Sequence, residues 1–219
     1  MDNFYNPNNV IHIIHGIKLD DYFNSGLIEE KKIIKFGYIG YLDDVHKGLG
    51  VLLNAIELIL EEKSNLNLFF EFCGDGPLKS KLKDLEKKYP EFIKYNGYIS
   101  NDLISNYYKN LDVFLFSSRR EPFPRTLMKA LASRLIIISS KTIGSVELLK
   151  GKKFGFFVDR FSPEAFKKRI LEVYDLWVKD YSKFQELKDS AKEYVFQNYS
   201  TSKEIEMFKT LIKKCAKEI

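Results

Sequence analysis

The chain has 219 residues, of which 45% are hydrophobic, 15% aromatic and 30% charged, with a formal charge of +5. This is enough for one generous globular domain with appended helices, and no apolar run nears the ~20 residues of a membrane span. The charge comes from lysines scattered among glutamates, which reads as solvated surface; attraction to phosphates or to a peripheral anionic lipid surface is the sharper alternative.

Without zinc-finger spacing, a ribonucleoprotein motif or a concentrated basic arm, no nucleic-acid partner is expected. The opening MDNFYNPNNV is polar, unlike a secretory signal. Cys73 and Cys215 suggest no disulfide framework, so the expected compartment is a reducing cytoplasm.

In chain order, residues 10–14 (VIHII) read as a short strand that turns at His15-Gly16. His12 and His15 have no third ligand nearby, so no metal is expected there. A polar segment follows, with a loop near Asn24-Ser25-Gly26, and residues 33–39 (IIKFGYI) form the next strand, closed by Gly40. The loop GYLDDVHKG leads into residues 49–62, where Leu49, Leu52, Leu53, Ile56 and Ile59 recur at helical spacing. Strand, glycine, loop, Lys47-Gly48 and helix form a candidate phosphate cradle, a pattern shared by many βα units.

Residues 67–73 (NLFFEFC) form a strand that turns through Gly74-Asp75-Gly76, and Pro77 is expected to begin a helix ending near Tyr89. Residues 92–95 are a short strand and Gly97-Tyr98-Ile99 a turn; Ser100-Asn101-Asp102 are expected to cap a helix reaching Tyr108. Next come the apolar strand LDVFLF at 111–116, the turn Glu121-Pro122-Phe123-Pro124, a helix from Arg125 and a strand at 135–138. In such a βαβ unit, helix N-terminal amides meet strand carboxyl ends where anions bind, so this stretch is the natural place for chemistry.

Residues 142–149 read as a turn and short helix, and 154–158 as a last short strand. Ser162-Pro163-Glu164 then starts a helix in the manner of a capping box. The remainder to Lys217 is helical, with breaks near Asp180 and around 198–202; Phe166, Val173 and Trp177 are core-facing. Five to seven strands alternating with helices predict an α/β fold, a single Rossmann-like doubly wound parallel sheet with extra C-terminal helices. A Rossmann oxidoreductase fits poorly, because the first turn lacks G-x-G-x-x-G.

From about Asn9 to Cys215, these landmarks resemble the C-terminal, nucleotide-sugar-binding domain of glycosyltransferase family 4, retaining enzymes of the two-Rossmann-domain GT-B type. IHIIHGIKLDDYF resembles the family's interdomain segment. The G-x-L…K-G loop is matched by Gly40-Tyr41-Leu42 and Lys47-Gly48, and G-x-G-P by Gly74-Asp75-Gly76-Pro77. G-x-[IV] is matched by Gly97-Tyr98-Ile99, S-x-x-E-x-F by Ser118, Glu121 and Phe123, and G-x-x-E by Gly144 and Glu147. Ser200 and the closing helix match the family's usual ending.

The resemblance implies an interdomain-like segment with a first strand in 1–22 and a donor-binding domain in 23–219. It implies transfer of a sugar from a nucleotide-sugar donor, such as a UDP- or GDP-sugar, with no metal or other cofactor. Glu121 would be the catalytic carboxylate contacting the sugar, and Lys47 would neutralise the diphosphate. Gly40, Tyr41, Gly74 and Gly76 belong to the donor loops, and Tyr98 and Ile99 would sit against the base. Phe123, Arg125 and Thr126 follow the S-x-x-E turn beside the phosphates, and Glu147 would face the donor.

The sequence also departs from the family. Tyr41 replaces an arginine, Pro124 a glycine, and Arg134 and Ile136 a Gly-x-Pro turn. Lys129 stands where a second glutamate usually binds the ribose, and an ammonium cannot accept two hydroxyl hydrogens. Arg119, Arg120 and Arg125 could supply replacement positive charge. The family's acceptor half is not in this sequence, so a separate N-terminal half, a partner chain or a homo-oligomer is expected to complete the cleft. The alternative is a non-catalytic nucleotide-binding or assembly protein with a degenerate form of the fold.

Overall fold

A computed structural model describes residues 16, 18, 20–22, 32–62 and 65–216. The strand expected at 10–14, with His12 and His15, and the loop near 24–26 lie outside these residues. The elements are β1 (Ile34–Ile39), α1 (Leu49–Glu62), β2 (Leu68–Cys73), α2 (Lys79–Lys88), β3 (Ile93–Tyr95), α3 (Ile104–Lys109) and β4 (Val113–Phe116). They continue with α4 (Arg125–Ala132), β5 (Ile136–Ser139), α5 (Ile143–Leu149), β6 (Gly155–Phe157), α6 (Pro163–Lys179), α7 (Tyr181–Tyr199) and α8 (Thr201–Cys215).

The six strands form one sheet in the order β3-β2-β1-β4-β5-β6, with every pairing parallel. The chain winds outward from β1 through β2 to β3, returns through α3, and winds the other way from β4. Right-handed crossovers therefore put the helices on both faces, and the expected doubly wound α/β fold is what forms. Covered on both sides, the central strands β4 and β5 are buried at every residue, whereas β2 alternates buried and half-buried positions and β3 and β6 at the edges are less buried. Phe36 of β1 is in register with Phe70 of β2 and Val113 of β4, and its ring centroid lies 5.3 Å from that of Phe70.

Three details depart from the sequence reading. Pro77 lies in the turn before α2, whose N-cap position is Leu78 with no side-chain cap. Ser100-Asn101-Asp102 do not cap α3; Leu103 occupies that position, again without a side-chain bond. Ser162 accepts a hydrogen bond from the Ala165 N–H, but alanine there has no carboxylate to return one, so only half a capping box forms. The reciprocal box lies instead at the start of α5, between Thr142 and Ser145.

Two buried charges fix the packing of α7 on the sheet. The Lys188 ammonium lies 2.8 Å from the Asp112 carboxylate, with both side chains under a tenth exposed, and the other Asp112 oxygen accepts the Lys35 N–H at 3.1 Å. Arg134, between α4 and β5, has φ 62°, the left-handed conformation glycine favours. It is held there by an ion pair with Asp189 of α7 at 2.7 Å.

Candidate functional site

Two cavities open at the carboxyl ends of β1, β2 and β4, around the point where the winding of the sheet reverses. The smaller, about 250 Å³, is bounded by the ends of β1 and β4 and by Lys47, Ser118, Glu121, Phe123, Arg125 and Thr126. The larger, about 650 Å³, is lined by Tyr41, residues 74–77, Tyr98, Ile99, Asn101 and Ile104. Ile39 and Gly40 line both, so the end of β1 divides one cleft into two compartments.

Lys47 is positioned by the loop before α1. Asp43 Oδ1 accepts the His46 and Lys47 N–H groups at 2.6 and 3.1 Å, and the Asp43 carbonyl accepts that of Leu49. Asp44 Oδ1 takes the Gly50 N–H at 3.0 Å. Burial pushes the Asp43 carboxyl up, but the two backbone donors and the nearby His46 and Lys47 side chains outweigh it and hold it below the usual carboxylate range. Sequence reasoning missed Asp43 as a positioning residue; the signal was an Asp-Asp pair just ahead of a helix, where short carboxylates satisfy free amides. Gly48 has φ 57°, and a Cβ there would lie 2.5 Å from the Ser117 carbonyl, so the loop closes onto β4 only with glycine. Ser117 Oγ completes the contact by donating to the Lys47 carbonyl at 2.7 Å.

From this seat Lys47 Nζ reaches Glu121 Oε2 at 2.8 Å. Glu121 is fixed from behind by α5, whose Gly144 N–H donates to the Glu121 carbonyl at 3.0 Å. A Cβ on Gly144 would sit 2.5 Å from the Pro122 carbonyl, so this glycine permits the close approach of helix and turn. No side chain caps the N-terminus of α4, which opens beside the same cavity at Arg125 and Thr126. Two cations, the hydroxyls of Ser118 and Thr126, an uncapped helix end and one carboxylate suit a phosphate-bearing ligand that also presents hydroxyls.

The larger compartment is different in kind. Its one charged wall residue is Asp75, paired with Lys79 at 3.2 Å, and otherwise it is apolar, aromatic or amide. Gly74 and Gly76 serve its architecture. A Cβ on Gly74 would fall 1.8 Å from the Gly40 carbonyl oxygen, and one on Gly76 within 2.8 Å of the Leu42 backbone. The two loops are thereby clasped, with Leu42 N–H donating to the Asp75 carbonyl and Leu78 N–H to that of Leu42, each at 2.9 Å.

Of the residues singled out from the sequence, Lys47, Glu121, Phe123, Arg125 and Thr126 share the smaller compartment, and Tyr41, Gly74, Gly76, Tyr98 and Ile99 the larger. Gly40 borders both. Lys129 lines neither, its ammonium lying 5.4 Å from the centre of the Tyr22 ring. Glu147 is exposed on α5 beside a separate crevice behind the Glu121 turn. Arg119 is turned away onto the Asp44 carbonyl at 2.9 Å and the Phe161 ring at 4.3 Å, which leaves Arg125 as the arginine of that turn lining the cavity. Among the described residues no three His, Cys, Asp or Glu side chains are grouped to hold a metal ion, and no helix is long and apolar enough to cross a membrane.

Residues 20–194 match the family model of glycosyl transferases group 1. An uncharacterized glycosyltransferase of Methanocaldococcus jannaschii is 26% identical over 175 residues, covering 78% of this chain and 42% of that protein. The chain thus spans well under half the length of the relatives it matches. The C-terminal domain of a group 1 glycosyl transferase, LpcC of Francisella tularensis, superposes with a TM-score of 0.68 at 19% identity, covering 85% of this chain and all of that one. Anabaena HepE in complex with UDP and glucose superposes with a TM-score of 0.69 at 16% identity, covering 92% of this chain and 55% of that one. At these identities the likeness is one of fold.

Proposed function

The chain belongs to the group 1 glycosyl transferase family, and on that premise we propose that it is the donor-binding domain of a retaining, family 4-like enzyme. The donor is a nucleotide-sugar, such as a UDP- or GDP-sugar, and no metal or other cofactor takes part. The observation that carries this reading is the Lys47–Glu121 pair in a cavity at the switch point of the sheet.

In this reading the diphosphate enters the smaller compartment beside Lys47, Arg125 and the N-terminus of α4, with the base in the larger one against Tyr98 and Ile99. As the bond between the sugar's anomeric carbon and the diphosphate oxygen breaks, an acceptor hydroxyl oxygen bonds to that carbon on the same face and its proton passes to the departing diphosphate, on which negative charge grows. Lys47 and the helix end stabilise it there, a contribution larger in the transition state than in the ground state. Glu121, released from Lys47 by the incoming phosphate, accepts hydroxyl hydrogens of the sugar and orients it as the catalytic carboxylate. The acceptor side of the cleft is supplied by an N-terminal half, a partner chain or a second copy of this chain. The buried Cys73 and exposed Cys215 suit a reducing cytoplasm.

One observation favours a second reading, a non-catalytic nucleotide-binding or assembly protein of the same fold. Lys129, standing where the family carries a ribose-binding glutamate, is turned onto Tyr22 and away from both compartments. Calorimetric titration of the chain with UDP- and GDP-sugars, followed by product analysis in the presence of candidate acceptors, tests both readings. Saturable binding with transfer supports the enzyme, binding without transfer to any acceptor the second reading, and no binding at millimolar donor contradicts both.

A further inference from the structure

The larger compartment contains two exposed aromatic rings. Tyr41 is 56% exposed and Tyr98 76% exposed, and both line this cavity. Among the described residues, neither takes part in a ring–ring or cation–π contact, whereas most other tyrosines of the fold pack against a second ring.

Their backbones are nevertheless pinned. The Tyr38 hydroxyl donates to the Tyr41 carbonyl at 3.0 Å, and the Asp43 N–H donates to the same oxygen at 3.1 Å. Next to Tyr98, the Gly97 carbonyl accepts the Gly74 N–H at 2.8 Å. Exposed aromatic rings on a tied backbone form a platform that loses little entropy on binding a flat ligand. The wall offers that ligand no cation and one carboxylate, Asp75, so an anionic group is disfavoured here and belongs with Lys47 and Arg125 next door.

We propose that Tyr41 stacks on the nucleobase of the donor, with Tyr98 as a second ring of the same platform. Base selection then rests on stacking area, and purine nucleotides bind more tightly than pyrimidine ones. This rests on the donor-binding reading above. It makes Tyr41 a base-binding residue of this chain, not the phosphate contact that the family's arginine makes at the same position. Aromatic stacking tolerates any base, because every base has a π face, and the larger purine covers more of the ring.

The test is calorimetric titration of the whole chain and its Tyr41→Ala and Tyr41→Phe variants with GDP, ADP, UDP and inorganic pyrophosphate. The expected result is GDP and ADP binding more tightly than UDP, and a roughly tenfold loss for the purine nucleotides in Tyr41→Ala. Tyr41→Phe is expected to restore the affinity, while pyrophosphate, which has no base, binds all three proteins alike. Equal nucleotide affinity in the original chain and Tyr41→Ala, a UDP preference, or a loss of pyrophosphate affinity in Tyr41→Ala would overturn the stacking inference alone. Failure of every nucleotide to bind the original chain would overturn the donor-binding reading and this inference with it.

Discussion

The Lys47 ammonium and the Glu121 carboxylate lie 2.8 Å apart across a cavity although 74 residues separate them in the chain. Each side chain retains between a fifth and a third of its exposure, 22% for Glu121 and 29% for Lys47, so water screens the pair and its contribution to stability is small. Lys47→Ala and Glu121→Ala are each expected to lower the unfolding free energy by about 1 kcal/mol or less, read from urea unfolding. A loss above about 2 kcal/mol in either would mean that the pair serves the fold rather than a ligand.

The glycines of the cleft separate packing from conformation. Gly74 and Gly97 both have positive φ, 137° and 69°, but only Gly74 meets a backbone atom where a Cβ would stand. Gly97→Ala is expected to cost about 1 kcal/mol from backbone conformation alone. Gly74→Ala adds a clash with the Gly40 carbonyl that cannot relax without moving the loop that carries Tyr41 and Lys47, and is expected to cost at least about twice as much. Thermal unfolding of the two variants checks this; equal destabilisation would mean that the loops separate freely.

The centre of the sheet is legible in the sequence because β4 and β5 are buried on both faces and therefore appear as short, dense apolar runs, VFLF and III. Helix α1 is legible to the residue from its periodicity. Capping is less so: Ser100, Asn101 and Asp102 have the right chemistry for a cap, but the chain turns once more before α3 begins. The cleft residues are legible as motifs, but their grouping is not. That Lys47 meets Glu121 depends on β1 lying beside β4, a pairing that no local pattern specifies. The turn of Lys129 toward Tyr22 depends likewise on a contact between distant segments.

The Lys188–Asp112 pair holds the base of the sheet to α7, far from the cleft. Lys188→Ala leaves a carboxylate that is 2% exposed without its ammonium, and is expected to destabilise the protein by roughly 3–5 kcal/mol. Lys188→Met combined with Asp112→Leu, which removes both charges, is expected to recover part of that loss. Urea unfolding midpoints distinguish the cases, and a loss below about 1 kcal/mol in Lys188→Ala would contradict the structural role.

Asp43 links the cleft to acid. Its carboxyl is held below the usual range in the folded protein, so the stabilisation it gives is present above its unfolded pKa, about 3.9. That stabilisation disappears as the pH falls through the folded pKa. Asp43→Asn keeps one oxygen for the His46 and Lys47 amides but has no charge to lose. Its stability is expected to be lower than that of the original chain at neutral pH and to fall less steeply between about pH 5 and 3. Identical acid limbs in the two proteins would contradict this role.

The most direct measurement is calorimetric titration of a UDP- or GDP-sugar into the chain and into Lys47→Ala and Glu121→Ala, with circular dichroism confirming that all three are folded. The expected result is saturable binding by the original chain, weakened about tenfold or more in each variant by loss of a charge-assisted contact. Saturable binding of equal strength in all three proteins, or none in any, would contradict a donor site built on Lys47 and Glu121.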